Sequence, residues 1–260
     1  MFFNPEAYDR IMGRWSRQLA PVFLEFAGVV DGDRVLDVGC GTGSLALAAA
    51  GAMRKSRIVG VDPSAAYIEH ARTRTADGRV TFQVADAQAL PFSKASFDAS
   101  LALLVLNFIP DARRAVREMR RVTRPGGRMA ACVWDYGGGM AMLRLFWDTA
   151  VALDPDVAPR HEGHMPYCKQ GQLAAMWSRH GLQQVEESGL GIQMAFASFD
   201  DFWTPFLEGQ GPAASYATGL PPEHQAALRA HLREAVLEGL ADRPLLLDAR
   251  AWAVRGVVGG

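Results

Sequence analysis

The sequence predicts a doubly wound α/β fold: one seven-stranded sheet, mostly parallel with an antiparallel edge strand, flanked by helices and interrupted by helical insertions. Three observations carry this expectation. Short apolar runs alternate with helix-like runs through the first half of the chain, the first strand is cut by a glycine-rich loop that opens a helix, and two late strand-like runs lack the earlier crossover rhythm.

Residues 1–30 read as helix, because Ile11, Trp15, Leu19, Val22, Phe23 and Phe26 fall mostly at three- and four-residue steps. A strand over 34–38 follows, then Gly39-Cys40-Gly41-Thr42-Gly43 and a helix over 44–53. The alternation continues as strand 58–61, helix 65–74, strand 80–84, a loop through Ala89-Leu90-Pro91, strand 97–103, helix 112–122, and strand 128–133 after Pro125-Gly126-Gly127. Regular alternation of this kind builds a parallel sheet covered on both faces. After Trp134 the rhythm changes: Gly137-Gly138-Gly139 and an aromatic, Met-rich helix over 140–152 read as an insertion. A helix over 170–180 leads to a strand over 183–194, a second helical insertion spans 199–240, and a strand over 249–258 ends the pattern. The expected organisation is a single domain with an N-terminal helical segment (1–30), a ligand-binding core (31–135), and a C-terminal part carrying the insertions (136–260).

Composition narrows the partners. With 27 Lys+Arg against 28 Asp+Glu, no general electrostatic grip on nucleic acid or an anionic membrane is expected. The local run Arg113, Arg114, Arg117, Arg120, Arg121 and Arg124 reads as a solvated helix face. Cys40, Cys132 and Cys168 are three widely spaced cysteines without a CxxC, which points to free thiols in a reducing compartment and to no zinc site. Neither a leader pattern nor an apolar run of spanning length is evident, so the expectation is a soluble cytoplasmic protein, monomer or homodimer.

Glycines 39, 41 and 43 permit positive φ and close backbone approach at a helix N-terminus, a pattern shared by two classes of nucleotide-type ligand. Asp37 discriminates between them. A carboxylate at the end of the first strand repels a dinucleotide pyrophosphate but attracts an ammonium group, although an Asp there also serves as a cap or turn residue. Asp62 in Gly60-Val61-Asp62-Pro63-Ser64 is placed to accept both hydroxyls of a ribose, and Asp86 with Ala87 can read an adenine, the alternative for Asp86 being a turn former.

Taken together, Val35 to Gly43, Gly60 to Ser64, Ala85-Asp86-Ala87 and Arg124-Pro125-Gly126-Gly127 resemble, in order and spacing, the class I S-adenosylmethionine-dependent methyltransferases, with a Rossmann-like sheet. Leu90-Pro91-Phe92 and Ser96-Phe97-Asp98 place the resemblance nearest the branch that includes ubiquinone and menaquinone biosynthesis methyltransferases and many small-molecule O- and N-methyltransferases. The resemblance implies S-adenosylmethionine as donor and S-adenosylhomocysteine as product. It implies that Asp37, Gly39 and Gly41 hold the methionine part, Asp62 the ribose, and Asp86 with Ala87 the adenine, with Cys40 and Pro63 also at the donor site. Tyr67 either covers the adenine or packs in the core, and Leu103 lies beside the methionine part. Tyr8 to Ser16 resemble a lid helix that closes over the donor, with Arg14 available to the methionine carboxylate or simply exposed.

On the acceptor side, Leu103-Leu104-Val105-Leu106-Asn107-Phe108 lacks the Asn/Asp-Pro-Pro-aromatic stretch of enzymes that methylate amino groups of nucleic acids and peptides, so a small, partly apolar acceptor is expected. His161, His164 and Tyr167 are candidate bases, with Asp135 and Tyr136 behind them. Phe146-Trp147 with Met140 and Met142, and Phe202-Trp203 with Phe206, are candidates for the acceptor pocket or for insertion cores. Two other functions share these features: a nucleotide-dependent oxidoreductase, and a donor-binding protein without turnover.

Overall fold

The computed structural model describes residues 5–208 and 211–260 of the chain. An N-terminal arm of α1 (Pro5–Tyr8), a π-helical turn (Asp9–Gly13) and α2 (Arg14–Ala27) precedes the sheet. Then follow β1 (Arg34–Val38), α3 (Ser44–Ala52), β2 (Arg57–Asp62), α4 (Ala65–Thr73), β3 (Val80–Val84), β4 (Phe97–Leu103), α5 (Ala112–Val122) and β5 (Thr123–Trp134). Beyond β5 come α6 (Ala141–Leu153), α7 (Gln172–Arg179), β6 (Leu182–Phe196), α8 (Phe199–Trp203), α9 (Pro212–Gly219), α10 (Pro222–Leu237) and β7 (Leu245–Val258).

The seven strands form one sheet in the order β3-β2-β1-β4-β5-β7-β6. Strands β1 to β5 pair in parallel, whereas β7 runs antiparallel to both β5 and β6. The expected antiparallel edge is therefore present, with the reversed strand β7 slotted one place in from the rim. Crossovers from β1 to β2 and from β4 to β5 step in opposite directions along the sheet. Right-handed connection then puts α3 and α5 on opposite faces. Both faces are buried in consequence, and β1 has four of its five residues out of water.

Strand β5 begins at Thr123, five residues earlier than the apolar run suggests, because Pro125-Gly126-Gly127 forms an irregularity within the strand where its register with β4 shifts. A Cβ at Gly127 would come 2.7 Å from the Asp98 carbonyl oxygen, so only glycine lets the two strands meet there. Strands β6 and β7 are the longest. Their pairing continues from Leu190–Ala251 to Phe196–Leu245, past the end of β5 at Trp134. The resulting ribbon projects over the C-terminal edge of the sheet and carries α8 to α10. Trp15 of α2 packs edge-on against Phe196 at its tip, ring centroids 5.2 Å apart. Arm, ribbon and both insertions thus converge on the edge where doubly wound folds bind ligands.

Candidate functional site

The glycine loop is shaped by backbone demands that only its sequence meets. Gly39, Gly41 and Gly43 have φ of +70°, +51° and +87°. The amides of Gly39 and Cys40 both donate to the Val61 carbonyl, at 2.8 and 2.9 Å, which ties the loop to β2. A Cβ at Gly39 would overlap the Val105 side chain, so the chain leaving β4 rests directly on the loop.

Asp37 ends β1 beneath this loop. It is 1% exposed; one oxygen accepts the Ala46 amide at 3.1 Å and the other, Oδ1, has no partner. Burial, opposed by the Ala46 amide and reinforced by the charge of Asp62, raises its carboxyl to about 7. Asp62 at the end of β2 accepts the Gly41 amide at 3.1 Å on one oxygen and the Ser64 amide at 2.9 Å on the other, leaving further acceptor capacity on both. Burial raises its carboxyl too, against those two amides. Pro63 is exposed beside it, and Ser64 caps α4. Tyr67 is buried on α4 with its hydroxyl unpartnered, and desolvation pushes the phenol up. Asp86 is exposed and is held as a turn by the Gln88 amide at 2.8 Å, beside buried Ala87. Leu103 and Cys40 share a small cavity with Tyr8, Ser16, Asp37, Gly39, Gly41, Thr42, Ser44 and Leu45. The structure thus brings residues from α1, α2, β1, α3 and β4 to one place, with the Asp62 and Tyr67 side chains beside it.

The arm reaches this cavity through residues that periodicity did not single out. Asp9 accepts from the Thr42 hydroxyl at 2.7 Å and meets His70 Nε2 at 3.2 Å, Arg17 at 3.3 Å and Arg74 at 3.6 Å. Tyr8 bonds with the Ser16 hydroxyl at 3.2 Å, and its ring lies 5.8 Å from that of Tyr67. Gly13 makes room, since a Cβ there would overlap Asp9 Oδ1. Arg14, by contrast, points away from the expected carboxylate role. Its guanidinium bonds Asp201 at 3.0 Å and lies 4.2 Å over the Trp15 ring, so its charge ties the arm to the second insertion. A pattern of apolar residues marks the buried face of an arm but not which polar side chain reaches across to a distant loop.

Of the acceptor-side candidates, His161 uses Nδ1 to accept the Gly163 amide at 2.8 Å, and burial lowers its pKa. His164 is exposed; Tyr167 is half-buried with φ of +65°. Asp135 is engaged by Arg250 at 2.6 Å. The two aromatic patches do meet. Phe146 stacks on Phe206 with centroids 4.5 Å apart and planes 21° apart, and Phe202 lies 5.7 Å from Phe206. Against Trp147 of the first patch sits Glu162, a loop residue that no sequence pattern marks. It is 6% exposed, accepts from Trp147 Nε1, and is raised to about 7 by burial.

A methyltransferase-domain family model matches residues 36–131. The 27-O-demethylrifamycin SV methyltransferase of Amycolatopsis mediterranei is 43% identical over 103 residues, 38% of each chain. An O-methyltransferase of Aspergillus nomiae is 43% identical over 131 residues, 49% of this chain and 57% of that one. The chain thus spans less than two thirds of either of these relatives. Phosphoethanolamine N-methyltransferase 2 of Haemonchus contortus, solved with phosphomonomethylethanolamine and S-adenosylhomocysteine, superposes with a TM-score of 0.61 over 98% of this chain and 57% of that one, at 19% identity. That likeness is one of fold. The matched core, residues 36–131, holds the glycine loop and the acidic strand ends Asp37 and Asp62, and in this core the chain is similar to methyltransferase domains.

Proposed function

We propose that the chain transfers a methyl group from S-adenosylmethionine to a small-molecule acceptor. The observation that carries this reading is Asp37: a buried carboxylate at the end of β1 with one oxygen orphaned, beneath a loop whose glycines hold positive φ. An ammonium group satisfies that oxygen, and a pyrophosphate does not. The residues therefore fit the donor. Asp37, Gly39, Cys40 and Gly41 hold its methionine part, with Leu103 alongside; Asp62 and Pro63 hold the ribose; Tyr67, Asp86 and Ala87 hold the adenine. When bound, the donor supplies an electrophilic methyl carbon on a sulfonium. The protein's share is to align the acceptor, exclude water and move a proton.

The arm acts as the lid. In this structure the cavity holds only about 30 Å³, room for roughly one water-sized group, so an adenosyl ligand enters as Tyr8 and Asp9 draw back. A small acceptor suits the apolar turn after β4 and the aromatic insertions. The near balance of 27 cationic against 28 anionic side chains speaks against nucleic acid as the partner, and three free cysteines favour a cytoplasmic protein, monomeric or dimeric. No helix among the described residues is long and apolar enough to cross a membrane.

Calorimetric titration with S-adenosylmethionine, S-adenosylhomocysteine and NAD tests the donor. Binding of both adenosyl ligands and not of NAD is expected. NAD binding alone transfers the site to hydride chemistry, and no binding leaves the pocket without its ligand.

A further inference from the structure

We propose that Glu162 takes the proton of a hydroxyl-bearing aromatic acceptor held against Asn107 and Tyr136 at the C-terminal edge of the sheet. This rests on the donor assignment above and names the acceptor class of the same site.

Three polar side chains from three places in the chain converge there. Asn107 lies in the turn after β4, 8% exposed, with its Oδ1 unpartnered. Tyr136 follows β5 by two residues and is buried, its phenol hydrogen-bonded by the Asn107 side chain. Glu162 comes from the first insertion, where the Trp147 indole of α6 and the Ala213 amide of α9 both donate to it. Its turn packs on Tyr136: a Cβ at Gly163 would lie 3.4 Å from the Tyr136 carbonyl oxygen. The charge of Glu162 acts on the Tyr136 phenol, yet among the described residues no hydrogen bond joins the two side chains. A hydroxyl group placed beside them donates its one proton to Glu162 and accepts from the Tyr136 phenol O–H.

The cluster borders the donor site. Tyr8, which lines the donor cavity, also acts on Tyr136. Val105, two residues before Asn107, packs on Gly39 of the glycine loop.

A structural role alone does not account for Glu162. A buried carboxylate is costly unless a cation pairs with it, and no cation among the described residues does. Donation from Trp147 would be satisfied as well by an amide oxygen. Burial instead leaves the group poised near neutrality, the condition for a general base at neutral pH. Of the acids and bases nearby, His161 accepts the Gly163 amide on Nδ1 and Asp135 pairs with Arg250. The titratable groups around it are His161 on its own segment, Tyr136 after β5 and Cys168, with Asp148 of α6 acting on His161.

The surroundings select the acceptor. Trp147 lies 5.7 Å from Tyr216 and 5.8 Å from His161, and Phe146 stacks on Phe206, so the surroundings of Glu162 are aromatic and apolar. Amines and thiols reach their nucleophilic form readily; a phenol, with pKa about 10, gains from a base. The hydroxyl proton passes to a Glu162 oxygen while the hydroxyl oxygen bonds to the methyl carbon and the carbon–sulfur pair leaves with sulfur. The products are a methyl ether, a neutral thioether and protonated Glu162, which returns its proton to water.

The test uses Glu162→Gln, which keeps an oxygen for Trp147. Wild type and variant are compared in S-adenosylhomocysteine affinity, in the pH titration of the Trp147 indole N–H resonance, and in methyl transfer to catechol, hydroquinone, 1-naphthol, aniline and thiophenol. We expect equal affinity, an indole titration near neutral pH in wild type alone, and methylation of hydroxyl probes that falls about 100-fold in the variant. The proposal is overturned by a variant that turns over at the wild-type rate, by an indole that does not titrate, or by a wild-type protein that binds S-adenosylhomocysteine but methylates no hydroxyl probe. Absence of S-adenosylhomocysteine binding in wild type instead removes the donor assignment, and this one with it.

Discussion

At the residue scale the proposed donor site is built from carboxylates that the fold holds against their own preference for water. Asp37 starts from an ordinary value of 3.8 and is raised to about 7 in the folded chain. The folded state therefore binds its proton more tightly than the unfolded state. The stability it contributes is complete below 3.8 and is lost as pH rises through about 7. Asp37→Asn removes that penalty, which is on the order of 2–4 kcal/mol at pH 8. The variant should melt several degrees higher than wild type at pH 8 and about level with it at pH 4, while losing donor affinity. Equal melting at both pH values would mean that Asp37 is solvated in solution. Asp62 gives a separate test. Asp62→Ala should weaken S-adenosylhomocysteine binding at least about tenfold, the loss of charged hydrogen bonds, and unchanged affinity in calorimetry would remove the ribose assignment.

At the element scale the arm is the part whose role was least legible. Its helix was readable from the spacing of Trp15, Leu19 and Phe23, which are all buried. Its chemistry was not, because Asp9 meets Thr42 and His70, at sequence separations of 33 and 61, only once the intervening chain has folded. Gly13→Ala isolates this contact. The added methyl displaces the Asp9 carboxylate, while alanine favours helix by about 1 kcal/mol over glycine. We expect faster S-adenosylhomocysteine release by stopped flow with a melting temperature no lower than wild type. Unchanged release would make Asp9 a tether rather than a latch. Arg14 and Asp201 join the same arm to the second insertion, but their side chains are 26% and 35% exposed. A double-mutant cycle should give a coupling of only about 0.5 kcal/mol.

At the scale of the whole molecule, the proposed donor site draws on β1, β2, the β3 and β4 ends and the arm at once, so donor binding should stabilise the chain as a unit. S-adenosylhomocysteine at 100 times its dissociation constant adds about 2.7 kcal/mol, which corresponds to a rise of roughly 5–10 °C for a domain of this size. Scanning calorimetry should show one transition moving upward. A second transition left behind would mean that the insertions unfold separately from the sheet.

The sequence by itself determined the sheet and the loop. Local physics suffices there: apolar strands, glycines at positive φ and acids at strand ends lie within a few residues of one another, and their order dictates a doubly wound topology. It also marked Phe146 and Phe206 as candidates for the acceptor pocket or for the cores of the insertions, and the two rings stack. Tertiary structure alone decided that β7 enters between β5 and β6, that Asp9 rather than Arg14 closes on the glycine loop, and that Glu162 lies buried beside Tyr136. Each of these depends on contacts between segments far apart in the chain. Burial is a property of such contacts, and it is burial that turns an ordinary loop glutamate into a carboxylate poised near neutrality.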